Sequence, residues 1–80
     1  MPAMSRVLVA DDEPKISQLV RDYLERAGFT VSVARDGHET LMRARTERPD
    51  LLVLDLGLPG LDGLDVTRAL RLKMSLWRYW

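Results

Sequence analysis

Residues 51–60 read LLVLDLGLPG, and the interpretation of the rest of the chain starts from this stretch. Its first four residues are all apolar, which is typical of a parallel strand buried on both faces of a sheet. Asp55 stands at the carboxyl end of that strand, and a loop rich in glycine and proline follows it. We therefore predict a central parallel strand that ends in a carboxylate.

Two strand-and-helix pairs are predicted before this stretch. Residues 6–10 form a short apolar run and residues 30–33 are rich in β-branched side chains, so both are predicted strands, the second less buried than the first. An amphipathic helix that begins near Pro14 and ends before Gly28 is predicted between them. Its apolar positions have helical spacing: Ile16, Leu19, Val20, Tyr23 and Leu24.

A second helix is predicted from the Asp36-Gly37 turn to Pro49, and a third from residue 62 or 63 to about residue 71. The order is then β-α-β-α-β-α with short connections. Right-handed crossovers convert this order into a parallel sheet with helices on its faces, which is an α/β wound fold.

Carboxylates follow two of the predicted strands. Asp11 and Asp12 come directly after the first strand, and Asp55 ends the third. Ligands of wound parallel sheets bind outside the carboxyl ends of the strands, so neighbouring first and third strands would bring the three side chains together. Their mutual repulsion would be relieved by a hard divalent cation, and Mg²⁺ prefers oxygen ligands of this kind. A backbone carbonyl from the loop after Asp55 could add a further oxygen.

The residues around these carboxylates resemble a known family. The segments VADDE (9–13) and LVLDLGLPGLDG (52–63) resemble the acidic pair and the phosphorylation loop of two-component response regulator receiver domains. The resemblance covers about residues 5–71 and implies a flavodoxin-like (CheY-like) parallel sheet with strand order 2-1-3.

The resemblance also implies roles for individual residues. Asp55 matches the phosphorylated aspartate, Asp12 the residue that binds Mg²⁺ directly, and Asp11 its neighbour that acts largely through water. Gly57 matches the position whose main-chain carbonyl completes the metal site. The implied cofactor is Mg²⁺ and the implied partner is a sensor histidine kinase. The chain would then be a cytoplasmic phosphoprotein that signals and is not an enzyme.

Residues 72–80 depart from the family pattern. A Thr or Ser that ends strand four and a Lys that ends strand five are expected in the family; no residue of this segment matches either, and the segment is predicted to contain no strand because it has no β-branched run. We therefore expect a receiver truncated to three β-α units over 5–71, followed by an atypical aromatic tail over 72–80. The bare edge of strand three would favour a homodimer or larger oligomer, through that edge or by exchange of the C-terminal helix. The aromatic residues Trp77, Tyr79 and Trp80 would help to cover the exposed core.

Composition narrows the function classes. Twelve basic and twelve acidic residues among 80 cancel, so no net charge favours binding to nucleic acid or a membrane surface. No run of about 20 apolar residues predicts a membrane span. The chain has no cysteine, which excludes disulfides and thiolate metal sites.

Several simpler interpretations compete with this one. The acidic residues 11–13 alone could be a solvated helix start. His38 is predicted to be a surface residue, and the arginines of helix two, Arg43, Arg45 and Arg48, a solvated face. An interaction module that binds partners without phosphotransfer is the main alternative function. A haloacid-dehalogenase-type phosphatase is disfavoured, because it needs a second aspartate where Gly57 stands.

Overall fold

The computed structural model describes residues 5–55 with their side chains and the backbone of residues 75–79. In chain order the elements are β1 (Arg6–Ala10), α1 (Pro14–Arg26), β2 (Thr30–Ala34), α2 (Gly37–Glu47), β3 (Leu51–Asp55) and β4 (Ser75–Tyr79). The third predicted helix and the loop after Asp55 lie outside the described residues.

The strands form one parallel sheet in the order β2-β1-β3-β4. The prediction that strand one lies between strands two and three is therefore confirmed. The pairing of β1 is in register along its length, with Ala10 opposite both Ala34 of β2 and Leu54 of β3. The carboxyl ends of β1 and β3 consequently lie next to each other at the same end of the sheet.

The fourth strand corrects the interpretation of the C-terminal segment. Residues 75–79 pair in parallel with β3 from Leu51↔Ser75 to Asp55↔Tyr79. The prediction that this segment holds no strand, and that the far edge of β3 is bare, is wrong. The segment SLWRY lacks β-branched residues, but aromatic residues also favour strands, and β3 offers a row of hydrogen-bonding groups to any strand beside it.

This pairing removes the basis for dimerisation through the edge of strand three, because the same chain occupies that edge. Exchange of the C-terminal helix stays a prediction. The side chains of Trp77, Tyr79 and Trp80 lie outside the described residues, so their predicted role in covering the core is untested.

Alternate residues of the strands supply two separate core layers. One layer, on the side of α2, centres on Leu8, Leu52 and Leu54 with Ala44 of the helix. The other layer, on the side of α1, consists of the buried valines Val7, Val9, Val31 and Val53. Val20 and Leu24 of α1 pack on these valines. Because β1 and β3 contribute to both layers, they are buried on both faces, as their apolar sequences predict. β2 is less buried than β1, which confirms the predicted order of burial.

Helix α1 is bounded by the residues that the sequence predicts. Pro14 is its first residue, and the side chain of Glu13 accepts the N–H of Lys15 at 3.3 Å. At the other end Gly28 has a φ of 98°, and the N–H of Phe29 donates to the carbonyl of Leu24 at 3.0 Å. This left-handed position ends the helix and directs the chain back to the sheet as β2.

The apolar face of α1 is wider than the part that the sheet buries. Val20 and Leu24 pack on the valine layer, whereas Ile16, Leu19 and Tyr23 are 45%, 70% and 74% exposed. The spacing of these five residues predicts an amphipathic helix, and Val20 and Leu24 are the two of them that pack on the core. A helix that lies on a flat sheet contacts it along one narrow line, so the flanks of a broad apolar face stay outside.

Candidate metal centre

Asp11 is fixed at the junction between β1 and α1. Its N–H donates to the carbonyl of Ala34 at 3.0 Å, which continues the β1–β2 ladder by one residue. Its carboxylate Oδ1 accepts the N–H of Glu13 at 2.9 Å, forming a tight turn of the Asx type. The residue is only 2% exposed, so a buried carboxylate stands at the end of a central strand with its orientation set from both sides.

Asp12 and Asp55 complete a cluster of three carboxylates with Asp11. Asp12 is exposed, and Asp55 is partly buried at the end of β3. One carboxylate oxygen from each of the three residues lies within 4.8 Å of the other two. The parallel pairing of β1 with β3 produces this convergence, because both strands run in the same direction and their carboxyl ends are neighbours.

The three oxygens suit a hard divalent cation. In an octahedral Mg²⁺ site with bonds of about 2.1 Å, ligand atoms are at most about 4.2 Å apart, so small side-chain rotations or a bridging water bring this set into range. All three donors are carboxylate oxygens, and one of them is exposed, which leaves room for the waters that Mg²⁺ retains. The residues present therefore fit the ion that the sequence predicts.

The structure thus brings together three of the four predicted site residues. Gly57, the fourth, lies outside the described residues. The sequence interpretation missed the N–H of Glu13, which holds Asp11 in place. An aspartate two residues before a helix-capping residue is the signal that could have indicated this turn.

The other predicted surface residues are distributed as follows. His38 is exposed on α2, as predicted, and so are Arg45 and Arg48. Arg43 is different, because its guanidinium contacts Glu39 at 3.1 Å and Glu47 at 2.9 Å and is partly buried. Its side chain is still 37% exposed, so Arg43 also belongs to a solvated face, where two glutamates one turn away on either side form surface ion pairs with it.

No helix within the described part of the chain is long and apolar enough to cross a membrane.

Comparison with known sequences gives one family. The model of the response regulator receiver domain matches residues 7–76. The alkaline phosphatase synthesis transcriptional regulatory protein PhoP of Bacillus subtilis is 52% identical over 66 residues, which are 82% of this chain and 28% of that protein. The DNA-binding response regulator MtrA of Mycolicibacterium smegmatis is 46% identical over 66 residues, again 82% of this chain and 29% of the relative. The chain therefore spans under a third of the length of these two curated relatives.

Solved structures give the same result. A signal receiver domain from Bermanella marisrubri superposes with a TM-score of 0.84 at 31% identity, covering 95% of this chain and 68% of the other. The response regulator TrrA of Thermotoga maritima, solved in complex with Mg²⁺ and BeF, superposes with a TM-score of 0.78 at 38% identity, covering 85% and 59%. The family match begins at the second residue of β1 and continues through β3, so it includes Asp11, Asp12 and Asp55. The chain belongs to the response regulator receiver domain family.

Proposed function

We propose that this chain is a phosphoacceptor module in which Asp55 receives a phosphoryl group from a sensor histidine kinase. Asp11, Asp12, Asp55 and the main-chain carbonyl of Gly57 would hold the Mg²⁺ that the transfer requires. The observation that carries the proposal is the convergence of three carboxylate oxygens within 4.8 Å at the ends of β1 and β3. The related TrrA was solved with Mg²⁺ and BeF, which supports the choice of ion.

The proposed transfer is a single displacement at phosphorus. A carboxylate oxygen of Asp55 forms the new O–P bond while the N–P bond of the kinase phosphohistidine breaks, and the imidazole nitrogen keeps the electron pair and takes up a proton. A cation held by Asp11, Asp12 and Asp55 would neutralise charge on the transferring group. The protein fixes Asp11 through the Glu13 N–H and aligns Asp55 through the β1–β3 pairing, so little reorganisation is needed.

The module has a signalling role in this proposal and is not an enzyme with turnover on a substrate of its own. It would act in the cytoplasm, where histidine kinases present their phosphohistidine. The familiar switch of the family uses a Thr or Ser at the end of strand four. Here β4 ends in Tyr79, opposite Asp55 in the register. Switching by that hydroxyl contact is therefore not part of the proposal.

Acetyl phosphate with Mg²⁺, followed by intact mass measurement, tests the phosphoacceptor role. We expect the mass of one phosphoryl group to be added to the wild-type chain, with acetate as the leaving group, and no addition to Asp55→Asn. Asp22→Asn is the matched control, because Asp22 is an exposed aspartate on α1 that bonds only Gln18 among the described residues. Absence of phosphate on the wild type would favour the alternative, an interaction module without phosphotransfer.

Binding of Mg²⁺ alone tests the metal site separately. We expect Mg²⁺ to raise the midpoint of urea unfolding in wild type and in Asp22→Asn, because an ion that binds only the folded state stabilises it. Asp12→Asn removes one of the proposed carboxylate ligands. The Mg²⁺ affinity obtained from the shift of the urea midpoint should therefore be lower by about tenfold or more. An unchanged affinity in Asp12→Asn would contradict the assigned ligand set.

A further inference from the structure

A cleft of about 500 Å³ lies away from the carboxylate cluster, along the edge of β2 that faces away from β1. The first two turns of α1 form one wall and the middle of α2 forms the other, with Val33 and Arg35 between them. Its lining is mostly polar: Pro14, Ser17, Gln18, Arg21, Val33, Arg35, Glu39 and Arg43. The volume lies within the range of sites that hold small ligands or short peptide segments.

The edge of β2 that faces away from β1 carries backbone groups directed outward. Thr30 donates its N–H to Ser5, and the carbonyl of Ala34 accepts from Asp11, so these residues bond toward the sheet interior. Peptide groups alternate in direction along a strand, and Val31 and Val33 therefore direct their N–H and C=O groups outward. Neither has a hydrogen-bond partner at this edge among the residues that the structure describes.

The next outward backbone group after Val33 is the N–H of Arg35, and it already has a partner. The N–H of Arg35 donates to the carboxylate of Glu39 at 2.9 Å. An acidic side chain of the protein itself thus already occupies one end of the edge. The groups of Val33 and Val31 continue the same line beyond it.

The arginines at the cleft differ in how far acidic side chains neutralise them. Three arginines and one glutamate line the cleft. The guanidinium of Arg35 is exposed and makes no ion pair with any described residue, while Arg21 has only a half-exposed contact with Glu25 at 3.4 Å. An exposed pair of this length contributes little and exchanges readily for another carboxylate. Arg43 is more firmly held by two glutamates and serves as part of the wall.

We propose that the β2 edge binds an extended acidic peptide segment of a partner protein, which adds to the sheet as a further strand. Main-chain bonds to Val31 and Val33 supply the pairing, and acidic side chains at alternate positions of the peptide contact Arg35 and Arg21. Strand addition to an exposed edge, with side chains selected by flanking groups, is a general mode of peptide recognition. This surface is separate from the carboxylate cluster, so binding does not require phosphorylation of Asp55.

A fluorescein-labelled octapeptide of alternating Val and Glu, titrated with the full chain and followed by fluorescence polarisation, tests the proposal. We expect saturable binding that weakens by about tenfold or more in Arg35→Glu, because the charge at the edge is reversed. Arg45→Glu is the matched control, since Arg45 is an exposed arginine on the opposite flank of α2, and it should change the affinity less than about twofold. Equal weakening in both variants would overturn the assigned site.

Two further measurements separate strand addition from simple charge attraction. The same peptide with N-methyl groups at alternate residues keeps its charge but loses the donors for pairing, and it should not bind. Hydrogen exchange at the amides of Val31 and Val33 should slow by about tenfold or more when the unmodified peptide is bound. Retained binding of the methylated peptide, no binding of the unmodified one up to millimolar concentration, or unchanged exchange at these amides would each overturn the proposal.

Discussion

The first two β-α units of the chain have similar local structures and opposite chemistry at corresponding positions. β1 and β2 are both five residues long, and Ala10 pairs with Ala34. The next residue is Asp11 in the first unit and Arg35 in the second. One is a buried carboxylate and the other is an exposed guanidinium.

Position in the sheet explains the difference. β1 has a strand on each side, so the carboxylate that follows it is held at 2% exposure beside the end of β3, where Asp55 stands. Among the described residues β2 has a neighbouring strand on one side only, so Arg35 is exposed next to edge groups that pair with none of those residues. We therefore propose that two similar units support different sites, a cation site after the central strand β1 and a peptide site along the edge of β2.

The largest expected difference between the two units is the loss of unfolding free energy when an apolar side chain of β1 or of β2 is shortened. Leu8 in β1 is fully buried, so Leu8→Ala should lower the free energy of unfolding by about 2–5 kcal/mol. Val33 in β2 is only partly buried, so Val33→Ala should cost about 1 kcal/mol. Urea unfolding of the two variants measures both values. Equal losses would show that the edge strand is as tightly packed as the central one.

The two helix ends should respond with opposite signs. Gly28 after α1 has a φ of 98° and Arg48 after α2 a φ of 50°, both in the left-handed region. Gly28→Ala should lower the free energy of unfolding by about 1 kcal/mol through backbone strain alone, since no described atom beyond the neighbouring residues in the chain lies within 4 Å of the added Cβ.

Arg48→Gly should instead raise the free energy of unfolding, by up to about 1 kcal/mol, because it relieves strain that the native residue carries. Part of the gain is offset by the greater freedom of glycine in the unfolded chain. Thermal unfolding followed by circular dichroism distinguishes the two directions. A lower midpoint for Arg48→Gly would mean that the arginine side chain contributes more than its backbone strain costs.

The smallest expected effect concerns the pH dependence of the second unit. The hydrogen bond from the Arg35 N–H and the contact with Arg43 lower the pKa of Glu39 from its ordinary value of 4.5. A carboxyl whose pKa is lower in the folded state contributes stability above its unfolded pKa, and this contribution is lost as the pH falls through the folded value.

Glu39→Gln should therefore lose less stability than wild type as the pH falls below about 4.5, by a few tenths of a kcal/mol because the group is partly exposed. Urea unfolding at a series of acidic pH values measures the slope. Glu25→Gln on α1 is the matched control and should keep the wild-type slope more closely. The same slope in Glu39→Gln and wild type would remove Glu39 as a source of the pH dependence.

Local patterns predicted most of the fold. The apolar runs before Asp11 and Asp55 indicated β1 and β3, and the bounding residues Pro14 and Gly28 indicated the extent of α1. These signals are local, because a strand buried on both faces and a helix end each require particular residue types at particular places. The prediction failed for β4, where SLWRY becomes a strand beside the edge of β3 and its propensity alone was too weak to show this.

For the candidate site, the sequence by itself determined which residues could act. Asp11, Asp12 and Asp55 are carboxylates at predicted strand ends, and the observed pairing of β1 with β3 brings them together. Tertiary structure decided that a turn through the Glu13 N–H holds Asp11, that Arg43 is held by two glutamates, and that a cleft with three arginines lies along the edge of β2. The physical reason is that the end of a strand is indicated by residue types close together in the sequence. Contacts between side chains of different elements depend instead on how segments that are distant in the sequence pack.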